Sequence, residues 1–231
     1  MAHSGATVPV SRRLPPTITF ARIVRARSAA VNEEEAANMA IRLVLITHAS
    51  TAATQDARFP GDEPLDVRGH RMVSTASMPH RFDGTLRGPE RRCAETASAL
   101  GLDAVPEPAL ADLDLGEWRG RTLTDLESDP DLATWLTDPA AAPHGGESLS
   151  ALADRVASWL TGLPDRSHLA AVTHPAVVRA AVLHTLGASL AGFWRLDSAP
   201  LTQTWLTCQG GRWQVRETGH RLGDDPSRAS S

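Results

Sequence analysis

Lysine is absent from the 231 residues, tyrosine is absent too, and asparagine occurs only at Asn32 and Asn38. All 23 basic side chains are therefore arginines. The joint loss of lysine and asparagine reads as a coding bias toward GC-rich codons, so abundant arginine is not in itself a binding signal. Net charge is −4, and no basic stripe or aromatic–basic interleave is present, which argues against a nucleic-acid partner. The two cysteines, Cys93 and Cys208, have no metal-ligand spacing and make no disulfide framework, which points to a reducing cytoplasm. No apolar run approaches the roughly 20 residues of a membrane span, so no membrane partner is expected. The first forty residues lack the apolar stretch of a secretory signal.

What remains is hydrophobic content of 42% against 22% charged residues, enough for one globular domain with a full core. Residues 1–38 are expected to form a loosely ordered extension, residues 39–220 the domain and residues 221–231 a tail; Met39 is a candidate start. Ile41–Ile46 and Leu169–Thr173 read as buried strands, short and rich in β-branched residues. Phe82–Arg87 and Asp103–Pro106 are further strand candidates. Helices are predicted over Asp66–Ser77, Glu90–Leu100, Asp129–Leu136, Ser148–Leu160 and Pro175–Leu186, with stops at Gly101 and Gly187. Leu201–Thr207 and Arg212–Glu217 flank Gly210-Gly211 and alternate apolar with polar, as in a hairpin. Strands alternating with helices predict an α/β fold: a three-layer α/β/α sandwich around a mostly parallel sheet.

The two buried strands share an ending. Each runs into a Thr-His pair, Thr47-His48 and Thr173-His174. In a parallel sheet this places both imidazoles at the carboxyl edge, where open α/β sheets bind ligands. Hydrolysis of a phosphate ester through histidine needs an in-line nitrogen nucleophile, donors for the equatorial oxygens and an acid for the leaving oxygen. His48 is the candidate nucleophile. Arg92, opening a helix, and His174 are candidates to hold the phosphoryl group. Asp112, in the acidic loop Leu110–Gly120, is the candidate acid, with Asp114 and Glu117 competing for the role. Trp118 in the same loop could line a substrate cleft, as could Trp194, and Glu147 either binds substrate or serves the start of the next helix. The remaining histidines have no metal-ligand spacing, so no metal and no cofactor is expected.

Four segments, in order, resemble the histidine phosphatase (phosphoglycerate mutase-like) superfamily over roughly residues 41–217. Thr47-His48-Ala49-Ser50-Thr51 is similar to the Arg-His-Gly-x-Thr strand end at His48 and Thr51. Arg92-Cys93-Ala94-Glu95-Thr96-Ala97 matches the Arg-Ala-x-Gln-Thr-Ala helix start, and Leu110–Gly120 matches the acidic segment Leu-x-Glu-x-Asp-Phe-Gly-x-Trp-Glu-Gly. Gly146-Glu147-Ser148 matches Gly-Glu-Ser, and His174 matches the second conserved histidine of the pattern. The resemblance implies a phosphomonoester hydrolase that needs no metal and acts on a small phosphorylated molecule through a phosphohistidine on His48. It implies Arg92, Thr51 and His174 in the phosphate pocket, Thr47 as an assistant, and Asp112 as acid and then base. The mutase branch's acidic motif is not found, which favours a phosphatase.

The departures fall on the phosphate pocket. Thr47 stands where the pattern has arginine, Pro175 where it has glycine, Asp112 where it has glutamate, and Thr54 where it has asparagine. Proline offers no N–H and threonine only a neutral donor. Each preorganised donor lost at a developing anion costs about 10²–10³ in rate. Arg42, Arg58, Arg68, Arg71 and Arg91 are candidates to compensate. Two alternatives follow: a degenerate member serving as an anion-binding or interaction module, or an enzyme whose less cationic pocket supports a different chemistry.

Overall fold

A computed structural model describes residues 40–78 and 81–222. The expected extension, residues 1–38, lies outside the described residues, as do Met39 and residues 223–231 of the expected tail. Six strands form one sheet: β1 (Ile41–Thr47), β2 (Gly84–Arg87), β3 (Val105–Pro106), β4 (His168–Thr173), β5 (Thr202–Gln209) and β6 (Arg212–Arg221), in the order β3-β2-β4-β1-β5-β6. The first four are mutually parallel; β5 runs antiparallel to β1 and to β6. This is the mostly parallel α/β sheet that the sequence predicts, with the expected hairpin closing its edge. Gly210 and Gly211 make the turn with φ of 56° and 75°, the left-handed pair that a two-residue hairpin connection demands. β6 continues past the predicted Glu217 to Arg221, and Leu222 donates its N–H to Leu201 O and packs on the core.

The helices are α1 (Ala52–Gln55), α2 (Val67–Thr75), α3 (Arg91–Ala99), α4 (Leu123–Leu126), α5 (Pro130–Thr137), α6 (Leu149–Thr161) and α7 (Pro175–Leu186). α1, α4 and the 3-10 segments of three to six residues are too short to leave a periodic signal. The longer helices begin where the caps say. Asp66, Asp129 and Ser148 each accept a first-turn N–H, from Gly69, Asp131 and Ala151. α7 ends at Gly187, left-handed at φ 60°. Among the described residues no helix is long and apolar enough to cross a membrane.

The alternation along each strand divides the core between the two faces. Leu43, Leu45, Leu169 and Ala171 join α6 and α7 residues on one side. Val44, Ile46, Ala170 and Val172 meet Cys93 and Ala97 of α3 on the other. With helices on both faces β1 and β4 are buried throughout their centres, which is why they read as continuous apolar runs. The register pairs Thr47 with Thr173. The next residue of each strand, His48 and His174, therefore leaves the sheet at the same level.

Candidate active site

The two imidazoles meet edge to face with ring centroids 5.2 Å apart. His48 is fixed first by its backbone, whose N–H donates to Thr173 O at 2.9 Å. Its ring is fixed by Nδ1, 2.8 Å from the carbonyl oxygen of Ala49. A carbonyl only accepts, so Nδ1 carries the proton and Nε2 keeps its lone pair. Burial, then the His174 and Arg92 charges, lowers the His48 pKa to about 3. A neutral imidazole with a free Nε2 is the form a nucleophile needs.

His174 is its electrostatic opposite. It is completely buried, yet its Nε2 lies 2.7 Å from Glu90 Oε2 and its Nδ1 3.3 Å from Asp112 Oδ2. Burial pulls its pKa down, but the Asp112 charge, the Cys93 sulfur and the Glu90 hydrogen bond outweigh it and raise the value to about 10. Nδ1 also lies 3.3 Å from Arg92 Nε. A neutral ring would accept that N–H, whereas an imidazolium donates to the carboxylate. Carboxylates on both sides of the ring favour the imidazolium.

Arg92, in the first turn of α3, is 1% exposed and fully engaged. Its Nη2 donates to Asp112 Oδ2 at 2.8 Å and its Nη1 to Gly61 O. Asp112 receives Arg92 and His174 on one oxygen and the Leu113 N–H on the other. Burial opposes its ionisation, but the His174 and Arg92 charges hold its pKa below the usual carboxylate range. Glu90 caps the assembly. It accepts the Asp112 N–H at 3.0 Å and faces His174, and despite burial its pKa is lowered to about 2. Gly88 leaves room for this contact: a Cβ there would lie 2.8 Å from His174 Nε2 and 2.9 Å from Glu90 Oε2.

The expected constellation of His48, Arg92, Asp112 and His174 thus comes together. Two other expectations, for Thr47 and Trp118, are not met, and Glu147 lines a second cavity with Asp112. Thr47 does not line the cavity beside His48. Its hydroxyl donates to Ala199 O at 2.6 Å and accepts the Thr202 N–H at 3.0 Å, because neighbouring residues on a strand project to opposite faces. Trp118 is buried among Phe59, Trp135 and His144 and lines no part of the cavity. Glu147 is turned to Arg155 of α6, which it grips through both oxygens at 2.9 and 2.7 Å. That guanidinium in turn donates to the carbonyls of Ala109 and Ala111, at 2.8 and 3.1 Å, and so ties down the loop that carries Asp112. Thr51 lines the cavity, but its hydroxyl already caps α1 through the Thr54 N–H.

The cavity beside His48 measures about 240 Å3; of the four residues of the constellation, His48 and Asp112 line it. Of the arginines expected to compensate, Arg58 lines it; Arg42, Arg68, Arg71 and Arg91 do not. A second cation, Arg179, was missed. It donates Nε to Leu196 O at 2.8 Å, lies 5.7 Å from the Phe193 ring centroid, and lines the same cavity. The signal was available: Ala176 and Arg179 are three apart on α7, hence on one face. Glu90 and Cys93 were also missed. With His174 they place donor atoms within 4.8 Å of one another, a mixed S, N and O set that could hold a divalent ion. In the structure these atoms satisfy one another, with Cys93 Sγ 3.3 Å from His174 Nε2.

Known proteins give this arrangement a lineage. The chain is 33% identical over 127 residues to a bifunctional protein of Mycobacterium tuberculosis, a match covering 50% of this chain and 35% of that protein. It therefore spans about a third of that relative. Phosphoserine phosphatase 1 of Hydrogenobacter thermophilus is 27% identical over 169 residues, covering 67% of this chain and 80% of that protein. Among solved structures, the alpha-ribazole phosphatase of Shigella flexneri superposes with a TM-score of 0.69 at 22% identity, over 80% of this chain and 99% of that one; at that identity the likeness is one of fold. The family model of the histidine phosphatase superfamily (branch 1) matches residues 43–220, and that span carries both imidazoles, Arg92 and Asp112: the chain belongs to this superfamily.

Proposed function

We propose that the chain hydrolyses a small organic phosphomonoester, without a metal, through a phosphohistidine on His48. One observation carries the reading: His48 Nδ1 lies 2.8 Å from Ala49 O, which assigns the ring proton to Nδ1 and the lone pair to Nε2, and the His174 ring centroid is 5.2 Å away. Nε2 attacks phosphorus as the ester P–O bond breaks, with the electron pair leaving on the alcohol oxygen. Arg92 and His174 neutralise the equatorial oxygens. In the free protein Asp112 is their counterion and stays ionised. A bound phosphoryl group takes over both cations, which raises the proton affinity of Asp112. Asp112 then passes the proton of a monoanionic ester to the leaving oxygen, and in the second step accepts one from the water that cleaves the P–N bond. Arg58 and Arg179 supply the positive charge that Thr47 does not. The relatives named as phosphatases support the class of reaction.

A second reading, an anion-binding module without turnover, draws on the charge balance. Arg92 and His174 face Glu90 and Asp112, so the heart of the site is neutral rather than cationic. Incubation with acetyl phosphate and assay for acid-labile, base-stable protein phosphate separates the two. Label on the wild type that is lost in His48→Ala is expected. Equal hydrolysis by both proteins removes the enzyme reading, and saturable phosphate binding without label supports the module.

A further inference from the structure

Beyond the imidazoles, the cavity is bounded by a wall that phosphoryl chemistry does not require. Phe59 meets Trp135 edge-on at 5.6 Å between ring centroids, Trp135 meets Trp194 at 4.5 Å, and Trp194 meets Phe193 at 4.9 Å. All four rings line the cavity that His48 and Asp112 line. Trp194 remains 37% exposed, a large apolar face turned outward at a concave site, which is how binding surfaces for apolar groups present themselves. Two polar atoms in this wall give a second, independent sign. The Trp135 indole N–H and the Ser198 hydroxyl are buried and meet no partner among the described residues. Trp135 is 3% and Ser198 8% exposed, and both line the cavity. Most buried polar groups in proteins are paired, so an unpaired one in a cavity wall is a place where a ligand oxygen or nitrogen can bind.

We propose that this cavity takes a phosphomonoester whose alcohol carries a flat apolar ring bearing a hydrogen-bond acceptor. The inference rests on the phosphohistidine reading and names its substrate class. The ring stacks on the exposed face of Trp194, which Trp135 and Phe193 back from the core. The acceptor meets the Trp135 N–H or the Ser198 hydroxyl. Small polar alcohols of the serine or glycerol kind would leave the Trp194 face in water.

Primary alcohols of similar acidity make the test, because they hold the leaving-group chemistry constant. The kcat/KM for 2-phenylethyl phosphate and its para-carboxamide derivative is compared with that for glycerol 3-phosphate and O-phosphoserine. The aromatic esters are expected to exceed the small ones by at least about tenfold, with the carboxamide best. Trp194→Ala should reduce the aromatic-to-glycerol ratio by about tenfold, and Trp194→Leu, which keeps an apolar side chain but no ring, should reduce it as well. Ser198→Ala should narrow the gap between the carboxamide and the plain ring. Acetyl phosphate, which has no ring, reports on His48 separately. If it labels the protein while the aromatic ratio is one or less, the substrate class is wrong and the chemistry stands. If no donor labels the protein, both fall.

Discussion

Thr47 occupies the position at which the superfamily pattern places an arginine, and its side chain is part of the scaffold. The hydroxyl is buried, donates to Ala199 O and accepts the Thr202 N–H. Thr47→Val preserves shape but leaves the Thr202 N–H unpaired, a loss of about 1–3 kcal/mol in a buried setting. Urea denaturation of the variant should show a loss of that size. Its kcat/KM should stay within about threefold of the parent, against the roughly 10²–10³ expected for a donor to the transferring phosphoryl group. A hundredfold fall in rate with unchanged stability would return Thr47 to the phosphate pocket. His48, one residue further along, projects the other way. The same alternation that turns Thr47 into the scaffold presents the nucleophile.

At the scale of elements, the site is a junction of strand ends and helix starts braced from behind by α6. Glu147 precedes that helix, and Arg155 lies on it two turns further along. Their paired contact at 2.7 Å fixes the guanidinium that gathers the carbonyls of the loop ahead of Asp112. Glu147 is therefore expected to position the loop rather than to touch substrate. Glu147→Ala should reduce kcat by about tenfold for every phosphate ester alike, since a misplacement of an ångström or so is costly in rate. Glu147→Gln, which keeps one acceptor for Arg155, should recover most of the loss. A change confined to the KM of one substrate would instead mark direct substrate contact. The elements themselves were legible because each carries a local signal: apolar runs for β1 and β4, caps at Asp66, Asp129 and Ser148, and glycines at the turns. The Glu147–Arg155 brace, the burial of Trp118 and the ring wall of Phe59, Trp135, Phe193 and Trp194 join segments far apart in the chain. Only tertiary packing brings them together, and no short window of sequence holds that information.

The whole molecule registers this junction as a stability profile with losses on both sides of neutrality. His48 titrates at about 3 in the fold against an ordinary 6.5. Between those values the unfolded chain binds a proton that the folded chain refuses, so stability falls as pH drops. His144, lowered by burial, acts in the same direction. Glu90 begins to matter only below its ordinary 4.5, because its folded value is about 2. The window from about pH 4.5 to 6.5 thus belongs to the histidines. His174 has the opposite sign. Its pKa of about 10 in the fold lies above the ordinary 6.5, so its contribution is complete below 6.5 and drains away as pH rises toward 10. Cys208, raised by burial, joins it only above its ordinary 9.0, which leaves pH 7 to 9 to His174. Each group changes stability by at most about 1.4 kcal/mol per pH unit. Urea midpoints measured at intervals from pH 4.5 to 9 should therefore peak near neutrality. His48→Gln should flatten the acid side of the peak and His174→Gln the alkaline side, whatever either does to activity. A wild-type profile that stays level from pH 7 to 9 would mean that His174 is neutral in the fold, and the imidazolium at the centre of the proposed phosphate site would be lost with it.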